Sequence, residues 1–224
     1  MKKWIFLLIG LLLVAFGVST GLNLWQDYHI PPEEVVKAAL EKTLNMEEYQ
    51  YTSQSIRVIN GSEEVLSLLN GQKKNGSTHL AGQMPIVNSE IEVYQIADTF
   101  YRQDIANGNW LVVKGYDEEA TEVLLQEIDP LSNFYLENEY SAEYLGKEKI
   151  DGIRCKKYQV YTSKEGSYLS SLWAEYYYTL WVDRKGTIQQ VEMIASDHEN
   201  KPEQLKMTVQ FDWYSPVEDI LPPV

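Results

Sequence analysis

A strict alternation of apolar and polar side chains runs through Leu205-Lys206-Met207-Thr208-Val209-Gln210-Phe211-Asp212-Trp213. Successive side chains of a β-strand point to opposite faces of a sheet, so this period of two predicts a strand with one buried face. Met207, Val209 and Phe211 would lie on the buried face, and the polar residues between them would face water. A lone strand cannot bury an apolar face, and the same period recurs through the chain before it.

Turn signals divide the preceding chain into further strands. Asn60-Gly61 and Asp151-Gly152 are dipeptides typical of two-residue β-hairpins. Further turns are marked by Lys74-Asn75-Gly76, Asn107-Gly108-Asn109 and Asp183-Arg184-Lys185-Gly186. The predicted strands cover residues 48–59, 63–70, 79–87, 90–97, 99–104, 110–113, 142–150, 153–162, 176–182, 187–196 and 205–214.

Three segments have helical spacing instead. Val36, Leu40 and Leu44 make one apolar stripe in a helix at about residues 33–46, directly after Pro31-Pro32. Helices are also predicted at residues 117–128, followed by a short helical piece at 131–136, and at about residues 166–175. About ten strands with three helices between them, and no low-complexity linker, predict one α+β domain over residues 33–224.

The first 26 residues predict a membrane anchor. Residues 4–25 carry no charge, and as a helix they would span about 33 Å, close to the ~30 Å hydrocarbon core of a bilayer. Trp4 and Trp25 would lie at the two interfaces, while Lys2 and Lys3 would keep the N-terminus in the cytoplasm. Residues 27–32 would then be a connector to an extracytoplasmic domain on a single-pass anchor in the cell membrane. The alternative is a cleaved signal peptide, which would release a secreted protein.

The composition argues against nucleic acid as a partner and against disulfide bonds as a source of stability. The chain has 33 acidic against 19 basic residues, a surface charge that repels nucleic acid. Because Cys155 is the only cysteine, no disulfide can form within the chain. Stability must therefore come from a packed core.

The sequence gives little support for catalysis. His29, His79 and His198 are far apart and share no short spacing with Cys155 or with a carboxylate cluster. Neither G-x-S-x-G nor a phosphate-binding glycine loop is present. We therefore expect no enzyme activity, no metal site and no cofactor.

Three stretches together resemble one family. They are residues 144–158, which include Leu145-Gly146 and Ile150-Asp151-Gly152, residues 178–191, which include Trp181-Val182-Asp183, and residues 211–223, which end in Pro222-Pro223. In this order and spacing the chain resembles the superfamily of lipoprotein carriers and lipid-binding lipoproteins, the LolA-like half-barrels, as a membrane-anchored bacterial member. The resemblance covers nearly all of residues 33–224.

The resemblance implies both a fold and a function. The fold would be a strongly curved antiparallel sheet, an incomplete β-barrel, with helices on its concave face. Members of the family hold acyl chains in the apolar space between the sheet and the helices. A fixed anchor departs from the carriers, because a protein that shuttles between two membranes must leave the first one.

Two functions follow as alternatives. The first is a membrane-anchored binding protein that holds a lipid acyl chain or a lipopeptide on an apolar face, with the ring of Tyr178 at its mouth. The residues predicted for this face are Tyr178, Leu180, Val182, Met207, Val209 and Phe211. The second is a membrane-tethered envelope sensor or interaction domain, which would have a closed core, no small-molecule ligand and an envelope protein as its partner.

Overall fold

The computed structural model of the protein describes residues 30–104, 107–114, 140–162, 173–197 and 203–223. The predicted anchor at residues 4–25, the predicted helix at 117–128 and the short helical piece at 131–136 lie outside these residues. From Ile30 onward, no helix in the described ranges is both long and apolar enough to cross a bilayer.

One helix, α1 (Pro32–Leu44), opens the described chain. Pro32 occupies its first turn, where a missing backbone N–H costs nothing, and Glu33 and Glu34 follow where the helix dipole favours acidic side chains. Val36 and Leu40 of the predicted stripe are buried, together with Ala39 and Thr43. Leu44, predicted on the same stripe, is 46% exposed at the C-terminus of the helix, so the stripe ends one turn earlier than predicted.

Eleven strands form one antiparallel sheet. They are β1 (Glu48–Ile59), β2 (Ser62–Lys74), β3 (Ser77–Met84), β4 (Ser89–Ile96), β5 (Thr99–Gln103), β6 (Trp110–Lys114), β7 (Tyr140–Ile150), β8 (Ile153–Thr162), β9 (Trp173–Asp183), β10 (Ile188–Asp197) and β11 (Glu203–Asp212). A single 3-10 turn at Pro85–Val87 separates β3 from β4.

Hairpins connect the neighbouring strands. At the turn between β1 and β2, Asn60 has φ 51° and Gly61 has φ 80°, a pair of positive values that the twist of a two-residue hairpin requires. The Asn75-Gly76 and Asp151-Gly152 turns repeat this geometry. The predicted hairpins at these three places are confirmed.

The strand order is β6-β5-β4-β3-β2-β1-β11-β10-β9-β8-β7. Two meanders, β1–β6 and β7–β11, are therefore joined at the centre by the pairing of β1 with β11, where Tyr51 lies opposite Phe211. The sheet is curved and does not close, because β6 and β7 lie at opposite edges. The predicted open, curved antiparallel sheet is confirmed, with eleven strands where about ten were predicted.

The helix α1 packs on one face of the sheet, which we call the inner face, against β7 and β10. At its N-terminus the Tyr140 hydroxyl donates to the Glu33 backbone oxygen at 2.9 Å, and the Ala142 backbone N–H donates to the Glu33 carboxylate at 3.1 Å. At its C-terminus Ile188 N–H donates to the Thr43 hydroxyl at 3.3 Å. These bonds fix the helix at both ends.

The predicted helix at about residues 166–175 is wrong at its end. Strand β9 already begins at Trp173, which lies opposite Asp197 of β10. The spacing of Leu169, Leu172 and Trp173 resembles that of a helix, but an aromatic residue also suits a strand, and pairing with β10 decides between the two. Residues 163–172 lie outside the described chain.

Candidate ligand-binding site on the inner face

The strand register places all six predicted face residues on the inner face. Tyr178 lies opposite Met193, which lies opposite Met207. The next row of the same face contains Leu180, Val191 and Val209 in the same way. All six are buried and belong to one hydrophobic core with Val36 and Leu40 of α1; they are Tyr178, Leu180, Val182, Met207, Val209 and Phe211.

One end of the inner face is filled by aromatic rings. Tyr49, Tyr51, Phe211 and Trp213 contact one another with ring centroids 5.1–6.5 Å apart. The Trp213 indole N–H donates to the Ile188 backbone oxygen at 2.9 Å, close to the C-terminus of α1. Rings in such contact leave no room for a ligand, so this end serves as packed core.

The other end of the inner face has small and adaptable side chains. One row across the sheet contains Ser67, Ser55, Met207, Met193 and Tyr178, each opposite the next on a neighbouring strand. Both serines are buried, as is Ser53 in the row beside them. Serine fills little volume, and methionine adapts its shape to irregular space. This end, which we call the Ser–Met end, therefore has the side chains that an adaptable cavity needs.

Two buried hydroxyls stand out at the Ser–Met end. Within the described part of the chain, Ser67 Oγ and the Tyr176 hydroxyl have no hydrogen-bond partner. A buried polar group without a partner costs about 1–3 kcal/mol, and natural structures keep few of them. An unpartnered buried hydroxyl is therefore a place where a polar atom of a ligand would be stabilised.

Burial also sets the ionisation of the two tyrosines. Tyr176 and Tyr178 stack with an interplanar angle of 10° and centroids 6.4 Å apart. Burial raises the pKa of Tyr176 to about 12, and burial together with the neighbouring Tyr176 raises the pKa of Tyr178 further. Both hydroxyls stay protonated at physiological pH, and that of Tyr176 is suited to donate to a neutral acceptor such as an ester or amide oxygen.

The six predicted residues divide along the inner face. Tyr178 and Met207 belong to the Ser–Met end, and Phe211 belongs to the ring-filled end. Leu180 and Val209 lie between the two, and Val182 lies opposite Ile188 towards the rings. Tyr178 is only 2% exposed, so its ring lies inside the core and not at a surface opening.

Sequence reasoning missed the polar members of this site. Ser53 and Ser55 continue the alternation of Tyr49 and Tyr51 along β1, so the phase of the strand assigns them to the buried face. The buried positions of these two serines could therefore have been recognised from the sequence. Tyr176 and Ser67 could be recognised only once the register was known.

Metal-binding clusters and the single cysteine are the remaining groups that could carry chemistry. Among the described residues, no group of three or more His, Cys, Asp or Glu side chains is placed to hold a metal ion. Cys155 is buried, and burial, with a smaller effect of Asp183, raises the pKa of its thiol to about 11. The basic neighbours in the sequence therefore do not activate this thiol as a nucleophile.

Comparison with known proteins identifies related folds. No protein-family model and no curated protein matches the chain. Among solved structures, the Mycobacterium tuberculosis lipoprotein LppX superposes with a TM-score of 0.54 at 12% identity, covering 83% of this chain and 96% of LppX. LprF from Mycobacterium bovis gives 0.49 at 12% identity, covering 84% and 94%, and a LolA superfamily protein from Nitrosomonas europaea gives 0.37 at 9% identity, covering 82% and 92%.

The superposition on LppX spans almost the whole of that protein. At 12% identity the likeness concerns the fold alone, and at that level the resemblance drawn from the hairpin motifs is confirmed: this protein has the fold that is seen in LppX.

Proposed function

We propose that this protein is an extracytoplasmic binding protein, anchored by a helix at residues 4–25, which holds one acyl chain of a lipid or lipopeptide on its inner face. The observation that carries the proposal is the Ser–Met end, where the buried hydroxyls of Ser67 and Tyr176 have no hydrogen-bond partner in the described chain and lie on the same face as Met193 and Met207. Apolar walls with a few polar groups are typical of small-molecule sites. An acyl chain would contact the methionines, and its ester or amide oxygen would accept from Tyr176.

The fold supports the proposal in a second way. The described helix α1 packs against β7 and β10, whereas the buried inner face continues across β11, β1 and β2 to Leu80 and Val93. Among the described elements, the 13-residue helix α1 packs only on the β7 and β10 side of that face. The acyl chain of the proposal would lie along the remaining strands, among side chains that are buried there.

The second candidate is a membrane-tethered sensor or interaction domain with a closed core and an envelope protein as its partner. The ring-filled end favours it, because Tyr49, Phe211 and Trp213 there pack as a closed core does. The two candidates differ in one measurable respect, which is whether the Ser–Met end takes up a ligand.

Mass spectrometry tests this difference directly. A fragment of residues 27–224, made without the proposed anchor, includes every described element, and it should be purified with one bound lipid or lipopeptide. After removal of that ligand it should take up a fatty-acid probe. Met207→Trp should abolish uptake by filling the Ser–Met end, while the far-UV circular dichroism spectrum stays unchanged.

Gln204→Trp is the matched control. Gln204 lies on the same strand as Met207 but is exposed on the opposite face, so the variant should bind like the unchanged fragment. If the unchanged fragment has no bound mass and takes up no probe, the acyl-chain proposal fails and the closed-core candidate replaces it.

A further inference from the structure

A cleft of about 510 Å³ lies on the outer face of the sheet, the face opposite the inner face, behind the ring-filled end. The turn between β7 and β8 forms one wall with Ile150, Asp151 and Ile153. The Gln210 amide donates to the Asp151 carboxylate and so holds this turn over β11. The volume is within the range of pockets that take small ligands.

The floor of the cleft is made of uncharged polar side chains. Gln50 and Thr52 of β1, Asn70 of β2 and Gln210 of β11 face it. The Gln50 side-chain N–H₂ donates to the Pro216 backbone oxygen at 3.0 Å, and this bond fixes the direction of the amide. Each floor amide has two N–H donors and an acceptor oxygen, so groups remain for a ligand.

The polar floor extends beyond this cleft. A second cleft of about 280 Å³ shares Thr52, Asn70 and Gln210 with the first, and it adds Gln54 and Thr208. The two clefts follow β1 from Gln50 to Gln54, which is about 13 Å at the rise of an antiparallel strand. An elongated ligand therefore suits the site better than a compact one.

Among the described residues that line the cleft, the charged side chains are two carboxylates, in a chain that 33 acidic residues make strongly negative. Its two carboxylates, Asp151 and Asp212, are already bonded. Asp212 accepts from the Ser215 hydroxyl at 2.6 Å and from the backbone N–H groups of Tyr214 and Ser215 at 2.9 and 3.0 Å, and these bonds lower its pKa. A neutral ligand is favoured. An anion would be repelled by the two carboxylates, and a cation would find that the oxygens of these carboxylates already accept hydrogen bonds.

An exposed aromatic ring borders the cleft. Tyr214 is 63% exposed, and Lys185 Nζ lies 5.3 Å from its ring centroid, which holds the ring in place. Aromatic rings pack against the C–H faces of sugars, while side-chain amides exchange hydrogen bonds with sugar hydroxyls. From this combination we propose that the cleft binds a neutral oligosaccharide.

The strand pairing argues against a peptide ligand. A peptide added to a sheet needs an unpaired strand edge for its main-chain hydrogen bonds. The three strands that form the floor, β1, β2 and β11, are each paired on both sides. The floor therefore offers a ligand the amide and hydroxyl groups of its side chains instead of main-chain hydrogen bonds.

Isothermal titration of the full chain tests the proposal. The protein would be kept in a zwitterionic detergent without a sugar headgroup and titrated with maltotetraose, cellotetraose and tetra-N-acetylchitotetraose. At least one of the three should bind. Thr52→Arg, which puts a long charged side chain on the floor, should abolish that binding, and Tyr214→Ala should raise the Kd about threefold to tenfold.

Two variants control the experiment. Tyr144→Ala removes another exposed tyrosine, on β7 and outside the cleft, and should leave the Kd unchanged. Met207→Trp, which fills the inner face, should also leave it unchanged, and this separates the cleft from the acyl-chain site. The proposal is overturned if none of the three sugars binds at millimolar concentration, or if binding persists unaltered in Thr52→Arg.

Discussion

The hydroxyl of Tyr176 lies in the core without a partner in the described chain, whereas the hydroxyl of Tyr140 donates to the Glu33 backbone oxygen at 2.9 Å. Removing these two hydroxyl oxygens should therefore change the free energy of unfolding in opposite directions. Tyr176→Phe should raise the free energy of unfolding of the ligand-free protein by about 1–3 kcal/mol, because an unsatisfied group is lost. Tyr140→Phe should lower it by about 1 kcal/mol. Urea denaturation measures both.

The same pair of variants bears on the ligand. Tyr176→Phe should weaken retention of a lipid that places an ester or amide oxygen at this hydroxyl, and Tyr140→Phe should not. If Tyr176→Phe lowers the stability of the ligand-free protein as much as Tyr140→Phe does, the hydroxyl has a partner and the argument for a ligand contact there is lost.

Cys155 gives a prediction about pH. Its thiol is 1% exposed, and burial raises its pKa from 9.0 to about 11. The thiolate is the reactive form, so labelling by iodoacetamide at pH 8 should be far slower in the folded protein than in urea. Because the folded pKa is raised, the stability that the neutral thiol contributes is complete below about pH 9 and is lost as the pH rises towards 11. Rapid labelling of the folded protein at pH 8 would contradict the buried position.

At the scale of single elements, the N-terminus of α1 depends on one carboxylate. Glu33 accepts from the Ala142 backbone N–H at 3.1 Å, and this bond lowers the pKa of Glu33 below its ordinary value of 4.5. Glu33→Ala should cost about 1 kcal/mol in the free energy of unfolding near pH 7, since the hydrogen bond is lost at a partly exposed site. Glu34→Ala, at the exposed neighbouring position, should change it within about 0.5 kcal/mol.

The sign of the pH effect follows from the lowered pKa. The contribution of Glu33 is complete above about pH 4.5 and is lost as the pH falls through the lower folded value. The difference between the unchanged protein and Glu33→Ala should therefore shrink in acid. A difference that stays constant to pH 3 would show that the charge of Glu33 is not involved.

The strands and their hairpins could be predicted from the sequence because their causes are local. The alternation of Tyr49 and Tyr51 and the Asn60-Gly61 turn fix β1 and its end without reference to the rest of the chain. The pairing of β1 with β11 has no such local cause. It joins residues far apart in the sequence and was not predicted, and Trp173 shows that pairing can override helical spacing.

The candidate site likewise contains residues that a local sequence pattern predicted and residues that no local pattern predicted. Met207 was predicted from apolar alternation, which a single strand displays, and Tyr178 from the cluster of aromatic residues around it in the sequence. The hydroxyls of Ser67 and Tyr176 and the outer cleft depend on which strands are neighbours and on where the turn at Asp151 lies. Those contacts join residues distant in the sequence, so no local pattern reports them.

At the scale of the whole molecule, the pairing of β1 with β11 should make the two meanders unfold together. Phe211 contacts Tyr49 and Tyr51 across this junction. Phe211→Ala should cost about 3–5 kcal/mol, as expected for a buried phenylalanine. Gln204→Ala, exposed on the same strand, should cost within about 0.5 kcal/mol.

Fluorescence of single-tryptophan variants follows each meander separately. Trp110 reports on β6 and Trp181 on β9, at opposite sides of the junction. In Phe211→Ala the unfolding midpoints reported by the two tryptophans should both move to a lower urea concentration, by the same amount. Separate transitions would show that the halves of the sheet are independent domains.

The position of β11 in the sequence also sets the order in which the paired strands are synthesised. Residues 60–202 separate β1 from β11 in the chain, and at roughly 5–20 residues per second a ribosome needs about 7–30 s to make them. Throughout that interval β1 has only β2 beside it, and its other edge presents unpaired backbone groups to any neighbouring strand. Until β11 has been synthesised, the free edge of β1 can therefore pair with a strand of another nascent copy of the chain.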